Sequence, residues 1–234
     1  MTEDKAAVWL HNTLAYRFDD EQLLVDALSH RSASGQSNER LEFLGDAILD
    51  FVISHAVYLS RPAANEGDLS RLRASLVNDV ALSELAAALG IGEHIRLGSG
   101  EKKTGGHRRS SILADALEAL FGAVYLDRGF AAVEALILDV YRERLENLPD
   151  AEDLKDPKTR LQECLQAAGL DVPSYEVTQI TGKPHRRHFT VVCRVAALDV
   201  ARAGEGTSRR SAEQQAAENM LGIVQTRLQT GKSA

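Results

Sequence analysis

Ile112–Leu126 reads Ile-Leu-Ala-Asp-Ala-Leu-Glu-Ala-Leu-Phe-Gly-Ala-Val-Tyr-Leu, and its only charges are Asp115 and Glu118. A run apolar nearly all round is a helix that is mostly buried. Its two carboxylates are three residues apart and share one side of that helix. Buried charge without a partner is costly, so both need one. Arginines such as Arg40, Arg71 or Arg73 could serve; so could a cation chelated between two helices. Spacing leaves both open.

A second acidic helix precedes it. The segment Glu39–Tyr58 is long and helix-periodic, and Arg61-Pro62 closes it. Glu39, Glu42 and Asp46 stand at i, i+3 and i+7, which places them within about 60° of one another on one face. Leu41, Leu44, Ala47, Ile48, Phe51 and Val52 cover the opposite side and are the expected core face. Such a stripe also suits a solvated face, so spacing alone does not show that the two helices meet. If they do, oxygen-only ligands favour Mg²⁺ or Mn²⁺ over zinc. Divalent ions held by carboxylates suit phosphodiester hydrolysis, where they activate water and stabilise the leaving oxygen.

The rest of the first 145 residues reads as further helices: Glu21–Leu28, Asp68–Gly90 with a break at Asn78-Asp79, and Phe130–Leu145. A basic, Gly-rich loop is expected from Gly98 to Gly106. Ser110 or Ser111 is expected to cap the apolar helix, with Gly129 beyond its end. After a polar stretch with Pro149 the pattern changes. Pro157–Ala168 reads as a helix, Tyr175–Ile180 and His188–Val195 as strands, Leu198–Ala203 as a weaker strand, and Ser208–Leu228 as a long helix. The expected fold is an all-α domain over 1–147, a linker over 148–154, a small α+β (αβββα) domain over 155–229, and a flexible tail over 230–234.

Charge divides along the same line. The whole chain of 234 residues has a net charge of −7, but residues 151–234 hold 12 Lys+Arg against 10 Asp+Glu, net +2, and residues 1–150 hold 15 against 24, net −9. Two surfaces with two jobs follow. No run of about 18 uncharged apolar residues exists, so no membrane-spanning helix is expected. The first five residues lack the basic and apolar regions of a secretory leader. Cys164 and Cys193 are the only cysteines, which excludes a disulfide framework and fits reduced thiols in the cytoplasm.

Asn38-Glu-Arg-Leu-Glu-Phe-Leu-Gly-Asp46 closely resembles the signature of the ribonuclease III family. Ser29-His-Arg-Ser32, Glu66-Gly-Asp-Leu-Ser70 and Arg108-Arg-Ser-Ser-Ile-Leu-Ala-Asp-Ala-Leu-Glu-Ala119 resemble its other motifs, and residues after about 155 look like a double-stranded-RNA-binding domain. One of each is the family's bacterial plan. The resemblance implies a helical nuclease domain that forms a homodimer and places two sites in one valley. It implies Mg²⁺-dependent cleavage of double-stranded RNA, leaving 5′-phosphate and 3′-hydroxyl ends with two-nucleotide 3′ overhangs, in processing ribosomal RNA precursors and some messenger and small RNAs. Glu42, Asp46, Asp115 and Glu118 match the family's metal-binding carboxylates, and Asp46 and Glu118 also match those assigned as catalytic. Glu39 and Glu66 match acids lining the valley. A scaffold that binds RNA with a silent nuclease fold is the rival reading; the intact acids at all six positions argue against it.

RNA contacts can be read beside that resemblance. Duplex RNA presents a wide, shallow minor groove with 2′-hydroxyls and a narrow major groove flanked by phosphates. Thr159, Gln162, Glu163 and Gln166 share one helix face and suit the minor groove. His185, after Pro184 in the loop between strands, suits a second minor groove. Ser208, Arg209 and Arg210 open the last helix, where free N–H groups and the dipole favour phosphate. Arg108 and Arg109 could grip phosphate at the valley edge. His30 and Arg31 are expected to brace a helix end.

Overall fold

The computed structural model describes residues 5–33, 35, 37–183 and 186–231, the last three as backbone only. It divides into two compact units, Met1–Ala151 and Glu152–Ala234.

The first unit is helical: α1 (Lys5–Leu14), α2 (Glu21–Ala27), α3 (Glu39–Ser60), α4 (Glu66–Val77), α5 (Asp79–Ala88), α6 (Ser99–Lys103), α7 (Ser110–Arg128), α8 (Phe130–Val140) and α9 (Arg142–Glu146). Local chemistry explains several ends. Asp20, Asn65 and Asn78 each accept a hydrogen bond from a backbone N–H in the first turn of α2, α4 and α5. Asn78 therefore ends α4 and starts α5, which is the break expected at Asn78-Asp79. At the predicted Phe130–Leu145 helix the chain breaks once, at the buried Tyr141, whose hydroxyl donates to the Leu76 carbonyl at 3.3 Å.

Two local expectations are corrected. Gly98–Gly106 is not a plain loop: it contains α6, and Gly98 sits so close to Ser32 that a Cβ there would lie 2.2 Å from the Ser32 carbonyl oxygen. That glycine serves close packing rather than looseness. Neither Ser110 nor Ser111 caps α7: both lie inside it, and Arg109 holds the capping position without a side-chain bond.

The core runs along α7, where Leu117, Ala119, Leu120, Phe121, Ala123 and Val124 are fully buried. Helix α3 crosses α7 in direct backbone contact. A Cβ on Gly45 would stand 1.8 Å from the Glu118 carbonyl oxygen, and one on Gly122 would stand 2.2 Å from that of Leu41. Only two glycines facing each other let helices approach so closely. By length and composition alone α3 passes for a membrane-crossing helix, but it carries Asp46 and Asp50 and packs on α7 as a core helix does. Its apolar side is not all core. Leu41, Ile48 and Val52 are buried, whereas Phe43 is 80% exposed and Phe51 60%, with Tyr58 and Leu59 also open.

The second unit is α10 (Pro157–Ala167), β1 (Ser174–Thr181), β2 (His188–Val195), β3 (Val200–Gly206) and α11 (Arg209–Gly231). The strands form one antiparallel sheet in the order β1-β2-β3, with an irregularity in β1 between Val177 and Gln179. Both helices cover one face. Leu161 and Leu165 of α10 meet Cys193 and Val195 of β2 and Ala216, Ala217, Met220 and Val224 of α11. The cysteines are free; Cys193 is buried in this core and Cys164 packs against it. Gly204 lets α11 lie on β3, since a Cβ there would be 2.1 Å from the Ala216 nitrogen. The third strand begins later than predicted because Ala196–Leu198 forms a 3₁₀ turn. Helix α11 continues through Gly231, past the expected start of the tail; residues 232–234 lie outside the described residues.

Candidate active site and nucleic-acid interface

The contact between Gly45 and Glu118 brings the acidic faces of α3 and α7 together. Carboxylate oxygens of Glu42, Asp115 and Glu118 lie within 4.8 Å of one another, each residue half-buried. Two of the arginines that might have paired with Asp115 and Glu118 are engaged elsewhere: Arg71 pairs with Asp68 at 2.5 Å, and Arg73 donates to Ser54 at 3.2 Å.

Electrostatics shows the consequence. Burial pushes the Glu118 carboxyl up to about 8, and the charges adding most to that rise are all acids, Asp46 first, then Glu42, Asp115 and Asp79. Burial raises Glu42 as well, with Asp115 and Glu39 adding to it. Asp115 is raised by burial and by Asp79, with His30 and Arg31 opposing. Asp46 is raised by burial and Asp50. Like charges crowded in a half-buried site favour protonation or a bound cation. Three converging carboxylates, with a fourth coupled to them, are an oxygen donor set suited to a hard divalent ion.

The other predicted residues fall as follows. Glu39 is exposed, pairs with Arg31 at 3.7 Å and accepts from Ser37 at 2.9 Å. Glu66 is not in the three-carboxylate group; it accepts from Ser70 at 2.8 Å and lines a recess with Phe51, His55, Tyr58 and Arg73. Arg109 pairs with Glu101 at 2.6 Å, and Arg108 is exposed in the turn before α7. His30 bonds Ser32 through Nδ1 at 2.8 Å, within the turn that follows α2. Sequence reasoning missed Asp79. It opens α5 and acts on Asp115 and Glu118, and nothing in its local spacing points to α7. It also missed that His30 and Arg31 oppose the rise at Asp115.

In the second unit Gln162, Glu163 and Gln166 are exposed along α10. Thr159 donates to Asp156, the residue that caps α10, at 2.8 Å, and Glu163 pairs with Lys155 at 2.6 Å. His185 lies outside the described residues. Ser208 and Ser211 cap each other's backbone: Ser211 N–H donates to Ser208 Oγ at 3.1 Å and Ser208 N–H to Ser211 Oγ at 3.0 Å. This is a capping box with Ser in the return position. Arg209 and Arg210 stand exposed in the turn it fixes. Arg209 and Ser208 border a recess of about 490 Å³ with Arg186, Arg187 and His188.

Comparison with known proteins agrees with this arrangement. A ribonuclease-III-like family profile matches residues 20–145, and a double-stranded RNA binding motif matches 157–223. A ribonuclease 3 of Alkalilimnicola ehrlichii is 56% identical over 212 residues, covering 91% of this chain and 93% of that protein. Two solved structures of the ribonuclease III nuclease domain from Campylobacter jejuni are similar. One is 40% identical with a TM-score of 0.58, covering 63% of this chain and 99% of that one. The other is 41% identical with a TM-score of 0.56, covering 58% and 95%, and its subject is flexibility in a region involved in dimer formation. With its nuclease unit, its RNA-binding unit and a relative this similar along nearly its whole length, the chain belongs to the ribonuclease III family, metal-dependent endonucleases of double-stranded RNA.

Proposed function

We propose that Glu42, Asp115 and Glu118, with Asp46 on the same edge, hold Mg²⁺ and that Asp46 and Glu118 are the catalytic carboxylates. The observation that carries this reading is the convergence of three acids from α3 and α7, at a crossing that Gly45 makes possible. Mn²⁺ fits the same oxygen donors. When bound, the ion neutralises the phosphate backbone and polarises the attacking water. The chain's own residues do the rest. Glu42 and Asp115 fix the ion against the two helices. Glu118, as the carboxylate, would stand with them as an oxygen donor to the ion. Asp46, more exposed than Glu118, faces the incoming strand. Arg108 and Arg109 steady phosphate at the edge, Arg109 by exchanging Glu101 for it. Glu39 lines the valley.

A homodimer formed through the exposed side of α3 completes that valley and brings Glu66 to it. Two such sites acting on opposite strands leave 5′-phosphate and 3′-hydroxyl ends with two-nucleotide 3′ overhangs. The RNA-binding unit contributes Thr159, Gln162, Glu163 and Gln166 to one minor groove, the His185 loop to a second, and Ser208, Arg209 and Arg210 to the phosphates between. The substrates are structured precursors of ribosomal RNA and some messenger and small RNAs, in the cytoplasm.

The test is gel analysis of a long RNA duplex. Wild type is expected to cut in Mg²⁺ and to stop in excess EDTA, while Glu118→Gln retains the duplex uncut. Full cleavage in chelator overturns the metal assignment; equal cutting by the variant removes Glu118 from its role.

A further inference from the structure

Three consecutive side chains in the second turn of α11 reach three different places. Gln215 accepts from the Glu205 backbone of β3 at 2.6 Å. Gln214 accepts from the Lys158 backbone at 3.1 Å and donates to Asp156 at 2.9 Å, tying α11 to the start of α10. Both join elements of the core. Glu213 does something else. One carboxylate oxygen accepts from Lys158 Nζ at 2.7 Å and the other from Arg209 Nε at 2.8 Å. Its side chain is only 13% exposed, whereas that of Arg209 is 66% exposed. Lys158 is itself held, with Nζ 4.3 Å above the Tyr175 ring. The two hydrogen-bonded cations keep the Glu213 carboxyl below its ordinary range, Lys158 contributing most.

The atom of Arg209 that Glu213 engages matters. A guanidinium held through Nε keeps its two terminal nitrogens for another ligand, and such a pair of donors matches two phosphate oxygens. A long side chain that is fixed before binding loses less rotamer freedom when it binds. We propose that Glu213 is a positioning residue for RNA binding: anchored by Lys158, it aims Arg209 toward the recess shared with Arg186 and Arg187, where a phosphate of the duplex backbone is gripped. The inference rests on the RNA-binding role proposed above for this unit.

Charge alone predicts the opposite sign. Glu213 is an acid beside a surface meant for a polyanion, so removing it should tighten binding through simple Coulomb attraction. If Glu213 acts by aiming Arg209, removing it weakens binding. The experiment measures affinity of the full chain for a synthetic RNA duplex of about 20 base pairs, longer than one such module spans, in EDTA and across a range of salt. Glu213→Gln is expected to weaken binding about three- to tenfold and to lower the slope of log affinity against log salt by about one, as loss of one phosphate contact does. Adding Arg209→Ala to Glu213→Gln is expected to cost little more, because both act through one contact. Gln214→Ala is the structural comparator: it lowers the unfolding temperature without lowering the slope.

Equal or tighter binding by Glu213→Gln overturns the inference, as do additive losses in the double variant. If Glu213→Gln does not fold, Glu213→Asp carries the same test. It keeps the charge but shortens the reach to Lys158 and Arg209, so weaker binding supports positioning and wild-type binding overturns it. A wild-type chain that fails to retain the duplex at low salt overturns the RNA-binding reading itself; normal wild-type binding with an indifferent Glu213 overturns this inference alone.

Discussion

A methyl group at residue 45 has nowhere to go. Its nearest neighbours would be the carbonyl oxygen and carbon of Glu118, at 1.8 and 2.6 Å, and backbone cannot swing aside as a side chain can. Gly45→Ala must therefore separate α3 from α7 where Glu42 and Glu118 meet. Overpacking of this kind costs about 1–3 kcal/mol, and each kcal/mol lowers the melting temperature of a unit this size by roughly 2–4 °C. The variant is expected to melt earlier and to need more Mg²⁺ for half-maximal cutting; an unchanged melting curve and metal titration would show that the crossing tolerates a Cβ. Glu118 gives a second expectation, with a definite sign. Its folded carboxyl titrates near 8 against an ordinary 4.5. Between those values the native state binds more protons than the unfolded one, so metal-free stability falls as pH rises through that window. The melting temperature in EDTA should decline from about pH 5 to about pH 8, and Glu118→Gln should flatten that decline. Added Mg²⁺ should raise the melting point of wild type at about pH 8 more than that of the variant, since ligation needs the deprotonated acid. A wild-type melting point independent of pH in chelator would contradict the crowding of these acids.

At the scale of elements, what sequence reveals depends on whether the signal is local. The apolar run of α7 and the i, i+3, i+7 acids of α3 are local patterns, so both helices and their carboxylates are readable. The break at Asn78 is a capping signal, and the strands of the second unit alternate. What escapes is set by neighbours distant in sequence. Gly98 reads as loop but is the point where α6 presses on Ser32, 66 residues away in the chain. Phe51 fits a core pattern but stands open to solvent beside Phe130, at a ring separation of 5.7 Å. Asp79 joins the acidic site from the start of α5 with no periodicity to announce it. The capping box of α11 lies between these cases: Ser208 reads as the opening of the helix, but its bonds with Ser211 are seen only in three dimensions. Ser208→Ala is expected to cost about 0.5–2 kcal/mol, as lost caps do, and to fray the turn bearing Arg209 and Arg210. Faster amide exchange confined to that turn, together with weaker RNA binding, would show it; unchanged exchange would mean that Ser211 caps the helix alone.

The whole molecule joins an acidic catalytic part, net −9, to an RNA-binding part of net +2. A polyanion is repelled by the first until cations occupy it, so capture falls to the second, whose grip weakens with salt. A chain ending at Ala151 is expected to cut duplex RNA at low ionic strength and to lose that activity as salt approaches about 0.15 M, where the Debye length is about 8 Å, while the full chain continues. Equal salt tolerance would show that the nuclease part captures RNA unaided. Assembly sets the other condition. Phe43, Phe51, Tyr58 and Leu59 expose a run of apolar surface along α3, and contiguous surface of that kind marks an interaction site. Phe43 is the most informative position, because at 80% exposure it contributes little to the fold of a single copy. Phe43→Glu should leave the helical content of the nuclease unit unchanged by circular dichroism, while lowering its melting point only to that of a single copy, and it places a charge on each side of the shared face. Sedimentation equilibrium is expected to find wild type as a dimer and the variant as a monomer, with cleavage of both strands lost in proportion. A wild-type monomer, or a variant dimer that still cuts both strands, would place the assembly surface elsewhere than α3.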